Sequence, residues 1–180
     1  MEIVFVSTGM PFGPETMSKY SLGGSETALV MVAREMRKKG HLVNIFTPLP
    51  PQGRDDYIES GSADDLGIRW IHIDRYPQFI GSTEVDLLIV QRNPKIIATT
   101  NHAKKRVLWM HDIATMRGMG KYFDEMGWTF DEVWCVSKWH RKQIHEATGY
   151  PLKNIVPFRN GIVPIDLPDW LVRSSTDLVL

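Results

Sequence analysis

Seven short, mostly apolar runs recur along this 180-residue chain, and they limit its fold more than any other feature. They are "IVFV" (3–6), "LVNIF" (42–46), "IRWIHI" (68–73), "VDLLIVQ" (85–91), "KRVLWMH" (105–111), "EVWCVS" (132–137) and the start of "NIVPFRNGI" (154–162). Continuous apolar runs of this length fit strands buried on both faces of a parallel sheet. Between the first two runs, Ala28, Leu29, Val32, Ala33 and Met36 repeat at helical spacing. Arg34, Arg37, Lys38 and Lys39 fall late in that helix, where cations suit its negative end, and Gly40 follows as a cap. Strand, helix and strand make a βαβ unit. "KIIATTNHA" reads as a short helix, and "SKWHRKQIHEATG" as a helix with Ser137 as N-cap and Gly149 at its end. The alternation predicts a doubly wound α/β domain with a mainly parallel sheet. A hydrophobic content of 43% supports a real core in such a domain.

Charge and cysteine usage narrow the function. With 21 basic and 21 acidic residues the formal net charge is zero, so there is no global field for nucleic acid, and no nucleic-acid partner is expected. Cys135 is the only cysteine and reads as a buried small hydrophobe; a chain without an internal disulfide suits a reducing compartment. No stretch approaches the roughly 20 apolar residues of a membrane span, and "MEIVFVSTGM" lacks the marks of a signal peptide. The expectation is a cytoplasmic protein, with peripheral contact to an acidic membrane through the basic stretch 138–145 left open. The histidines are scattered, so no metal site is expected.

Four stretches carry candidate sites, all after strands, where open α/β sheets bind ligands. In "SLGGSETAL" (21–29), Gly23 and Gly24 precede a helix start with unpaired N–H donors and a positive dipole end. A diphosphate or other anion suits that place, with Ser25 or Thr27 adding a hydroxyl. The alternative is a plain turn with Ser25 as N-cap. In "VLWMHDIA", His111 and Asp112 close a strand; His111 suits a proton relay or a hydrogen bond to a sugar hydroxyl, and the alternative is a capping pair. In "VSKWHRKQIHEATG", Ser137 and Lys138 follow a strand, and Lys138, His140, Arg141, Lys142 and His145 face either phosphates or solvent. In "FRNGI", Arg159, Asn160 and Gly161 form a turn that is either a site or only a turn. Neither G-x-G-x-x-G nor G-x-S-x-G occurs, and "RGMGKY" fails the P-loop pattern because Thr115 and Tyr122 stand at key positions.

Taken in order, "IVFVSTG…GGSETALVMVAREMRKKGHLVNIFT", "RVLWMHD", "DEVWCVSKWHRKQI" and "NIVPFRNGI" resemble the landmarks of family 4 retaining glycosyltransferases. They match the amino-terminal, Rossmann-like half of the two-domain GT-B fold. The resemblance implies an acceptor-side domain over residues 1–162. It also implies a linker and the first strand of a second domain over 163–180, where "STDLVL" looks like that strand. It further implies transfer of a sugar from a nucleotide-sugar donor to a hydroxyl acceptor such as a glycan or lipid, without an obligatory metal or cofactor.

By the same resemblance, His111 contacts the transferred sugar and Asp112 supports its loop, both entering as catalytic candidates. Gly23 and Gly24 lie near the donor diphosphate, Ser137 and Lys138 line the cleft, and Asn160 and Gly161 sit at the crossing toward the second domain. The second domain supplies a basic pair and a carboxylate motif absent from these 180 residues, so the chain alone is expected to be inactive or nearly so. Two other readings stay open. One is a sugar-nucleotide epimerase of the same fold. The other is a non-catalytic module gripping a glycan or protein through exposed Trp70, Trp128 or Trp139.

Overall fold

The computed structural model describes residues 1–98, 102–113 and 129–161. Its strands are β1 (Glu2–Val6), β2 (Leu42–Thr47), β3 (Arg69–His72), β4 (Val85–Gln91), β5 (Ala103–Met110), β6 (Glu132–Cys135) and β7 (Ile155–Pro157). They form one sheet in the order β3-β2-β1-β4-β5-β6-β7, and every pairing is parallel. The helices are α1 (Thr16–Lys19), α2 (Gly24–Lys38), α3 (Tyr76–Ser82), α4 (Pro94–Ala98) and α5 (Lys138–Thr148). This is the doubly wound, Rossmann-like α/β domain that the apolar runs predict.

The runs are apolar throughout because both faces of the sheet are covered. Along β1, Ile3 and Phe5 enter one cluster and Val4 and Val6 the other, all fully buried. On the first face α2 packs Ala28, Leu29 and Ala33 against Ile3, Phe5, Val43 and Ile45. On the second, Tyr76 and Ile80 of α3, Ile97 of α4 and Ile144 of α5 meet Val4, Val90, Leu108 and Met110. Each such side chain contributes about 1.5–3 kcal/mol on leaving water. The expected helix ends are in place. Gly40 lies just past α2 at φ +86°, and Gly149 ends α5 at φ +72°. Cys135 is buried, and its thiol donates to the Ser137 carbonyl at 3.4 Å.

The structure adds elements that the apolar pattern did not predict. Gly9, Pro11, Gly13, Pro14, Gly23 and Gly24 predict a loop over residues 8–23, but α1 interrupts it. Its Thr16 hydroxyl donates to Asp56, a fully buried carboxylate that Arg54 grips from Nε at 2.9 Å and from Nη2 at 2.8 Å. The first long loop is thereby pinned to the second. Helix α3 also went unread, because Pro77 looks like a breaker unless it falls in a first turn, where it does fall. The anticipated linker and strand start over 163–180, "RGMGKY", Trp128 and residues 99–101 of the segment read as a short helix lie outside the described residues. No helix among the described residues is long and apolar enough to cross a membrane.

Candidate functional site

The strand order reverses at β1: the chain runs outward through β2 and β3, then returns to β1's other side as β4. A crevice beyond the carboxyl ends of β1 and β4 is the expected ligand position in such sheets. Four segments converge there, namely residues 7–9 after β1, the start of α2, Gln91 and Arg92 at the end of β4, and His111 and Asp112 after β5.

Helix α2 begins on Gly23 as N-cap, with no side chain capping it. Its first intrahelical bond runs from Thr27 N–H to Gly23 O at 2.8 Å, so the N–H groups of residues 24–26 have no helical acceptor. The two glycines have different reasons. A side chain at Gly23 would overlap the Glu26 carboxylate, and one at Gly9 would crowd the same group from the other side, while a side chain at Gly24 would meet nothing within 4 Å. Gly23 therefore makes room for a buried acid, and Gly24 leaves backbone open to the crevice.

Ser25 is a correction. It is not the N-cap but lies one residue inside the helix, 4% exposed, and its hydroxyl donates to Glu26 Oε2 at 2.7 Å. The hydroxyl is committed internally rather than offered to a ligand; what Ser25 can present is its backbone N–H. Glu26 also receives Arg92 Nη1 at 3.4 Å, and Arg92 Nε reaches Asp112 Oδ2 at 3.1 Å. Arg92 holds φ +60°, the one positive value at a non-glycine residue among those described, so its backbone is strained where its guanidinium joins the start of α2 to the loop after β5.

His111 stacks obliquely on Trp109 at 4.8 Å between ring centres, and its Nε2 lies 3.1 Å from Gln91 Nε2. Gln91 is 1% exposed, and the same nitrogen donates to the Ser25 carbonyl at 2.8 Å. Burial, reinforced by the Arg92 charge and opposed by Asp112 and Glu26, pushes the His111 pKa from 6.5 down to about 4. The ring is neutral at pH 7. Sequence reasoning missed Glu26, Gln91 and Arg92. The one available signal was a polar pair ending an apolar strand next to the point where the strand order reverses.

The structure brings Ser137 near this cluster but not Arg159 to Gly161. Ser137 caps α5 by accepting His140 N–H at 3.0 Å, and His140 Nε2 donates to the Asp112 carbonyl at 2.9 Å, tying α5 to the β5 loop. Lys138 is exposed at the first position of α5. Three members of the basic stretch are engaged within the fold. His140 is 3% exposed with its pKa pushed down by burial, Arg141 donates to the Leu152 carbonyl, and Lys142 pairs with Glu146. Arg159 and Gly161 instead line a groove of about 410 Å³ with Met31, Met36 and Phe158, seven or more residues along α2 from Gly24. Asn160 is exposed in the same turn. Of the tryptophans proposed as exposed anchors, Trp70 is fully buried and donates to Asp64, whereas Trp139 is 64% exposed.

Fold and crevice define a Rossmann-like α/β domain with its candidate site at the switch point of the sheet. The family model for Glycosyltransferase Family 4 matches residues 22–164, and the chain belongs to that family. Its function is of the glycosyltransferase type. No curated protein matches the chain.

Proposed function

We propose that this domain supplies the acceptor side of an enzyme moving a sugar from a nucleotide-sugar donor to a hydroxyl acceptor such as a glycan or lipid. One observation carries the reading: an uncapped helix start and a half-buried neutral histidine face the same switch-point crevice. The N–H groups of residues 24–26 and the positive end of α2 receive the donor diphosphate and stabilise it as it departs. His111 hydrogen-bonds the transferred sugar. Asp112, held by Arg92, keeps the β5 loop in place. Ser137 and Lys138 border the cleft, and the turn 159–161 leads toward a second domain that binds the nucleotide. No metal takes part in this reading, and the setting is cytoplasmic.

An epimerase needs carboxylates free to move protons, and Glu26 and Asp112 are both engaged by Arg92. The test is sugar transfer and donor hydrolysis over a panel of nucleotide sugars, by this chain and by a form joined to a donor-binding domain. The reading expects turnover only from the joined form, and its loss in Gly24→Val and His111→Ala. Robust transfer by the 180-residue chain overturns the division of labour. Full activity in both variants overturns the site.

A further inference from the structure

Gln91 occupies an unusual position. It ends β4 almost fully buried, opposite Trp109 of β5 in the parallel register, and reaches two residues of the crevice at once. Its Nε2 lies 2.8 Å from the Ser25 carbonyl and 3.1 Å from His111 Nε2, while its Oε1 is buried with no partner. The amide can sit one way only. A carbonyl such as Ser25 O only accepts, so the amide nitrogen must face it. Turning the amide over sets two carbonyl oxygens against each other and buries an unpaired NH₂ group instead. An amide nitrogen carries two hydrogens; one goes to Ser25 O, and the second points at His111 Nε2. That ring nitrogen must then be the acceptor.

We propose that Gln91 is a positioning residue that fixes His111 as the Nδ1–H tautomer, so that His111 serves its ligand as a hydrogen-bond donor and not as a general base. A neutral imidazole has one ring lone pair that can accept a proton. Here Gln91 occupies it at Nε2, and the remaining nitrogen, Nδ1, bears the hydrogen. This decides between the two roles open to His111, proton relay and hydrogen bond to a sugar hydroxyl, in favour of the second. The identity of the ligand rests on the glycosyltransferase reading; the tautomer rests on geometry alone.

The direct test is two-bond ¹H–¹⁵N correlation on the chain with ¹⁵N-labelled histidine near pH 7, with the His111 signals assigned by their absence in His111→Asn. The proposal expects a protonated Nδ1 and a bare Nε2. His140 gives an internal contrast, because its Nε2 donates to Asp112 O and must carry the hydrogen. In Gln91→Leu, His111 loses its single tautomer and shows Nε2–H character. An Nε2–H or doubly protonated His111 in the unaltered chain overturns the proposal, and that result needs no variant to fold.

The functional arm measures nucleotide-sugar affinity in the joined two-domain form. His111→Ala is expected to weaken it about tenfold. His111→Asn, whose amide nitrogen stands where Nδ1 stood, is expected to restore part of the loss. If the tautomer is confirmed but His111→Ala binds and turns over donor like the unaltered protein, the donor role falls and the tautomer stands.

Discussion

Two helices start just beyond this sheet, and they start differently. Helix α5 is closed by its own side chain: Ser137 accepts the His140 N–H, and His140 then ties the turn to Asp112. Helix α2 has glycine at its N-cap and no capping side chain, and its open position, Gly24, meets nothing. The polar groups around α2 do not cap it. They form a scaffold behind it, in which Glu26 lies buried against Gly9 and Gly23, Arg92 runs from Glu26 to Asp112, and Gln91 runs from Ser25 to His111. A helix start that satisfies itself has little left for a ligand. One held rigid from behind and left bare in front keeps its donors available at no cost in reorganisation.

Removing the scaffold should have the largest effect. Glu26→Ala strips Ser25 and Arg92 of a shared acceptor and leaves a void, and about 3 kcal/mol of stability should be lost in urea denaturation. A loss below about 0.5 kcal/mol would mean that the buried acid does not hold the α2 start.

Acid should follow. The His111 pKa is about 4 in the folded chain against an ordinary 6.5. Between those values the unfolded chain binds a proton that the folded one does not, so stability rises with pH across the window and falls on acidification. For a half-buried ring the change is about 2 kcal/mol after allowing for solvent screening. His140, also depressed by burial, adds in the same direction. Melting curves from pH 4 to 7 should show this slope, and His111→Asn should flatten most of it.

The two glycines sharpen the contrast further. Gly23→Ala forces the Glu26 carboxylate from its place and should cost about 1–2 kcal/mol. Gly24→Ala should leave stability within about 0.5 kcal/mol while weakening ligand binding. Equal melting losses in the two variants would remove the distinction. At the sealed helix, Ser137→Ala should cost about 1 kcal/mol through loss of the cap, and it should lower nucleotide-sugar affinity less than Gly24→Ala does, because its hydroxyl is spent on the His140 N–H.

The sequence displays the fold because the apolar runs report burial on both faces, a property each strand carries in its own residues. Helices α1 and α3 escape because they are short and derive their stability from tertiary partners, Thr16 on Asp56 and Tyr76 and Ile80 in the core. The site divides in the same way. The glycine pair, His111 and Ser137 stand where a strand gives way to a loop or helix, which local pattern shows. The role of Glu26 depends on Gly9, seventeen residues upstream, and that of Gln91 on the β4–β5 register, which brings it to His111 twenty residues away. Ser25 looks like a cap from its neighbours alone, and the structure turns it inward because Glu26 is the nearer acceptor.

The most direct test is a ¹H–¹⁵N amide titration of the chain with a nucleoside diphosphate. The account predicts that the N–H signals of Gly24, Ser25 and Glu26 move with ligand and that those of Trp139 and Gly161 do not. Movement centred on α5 or on the turn 159–161, with the start of α2 unmoved, would contradict it.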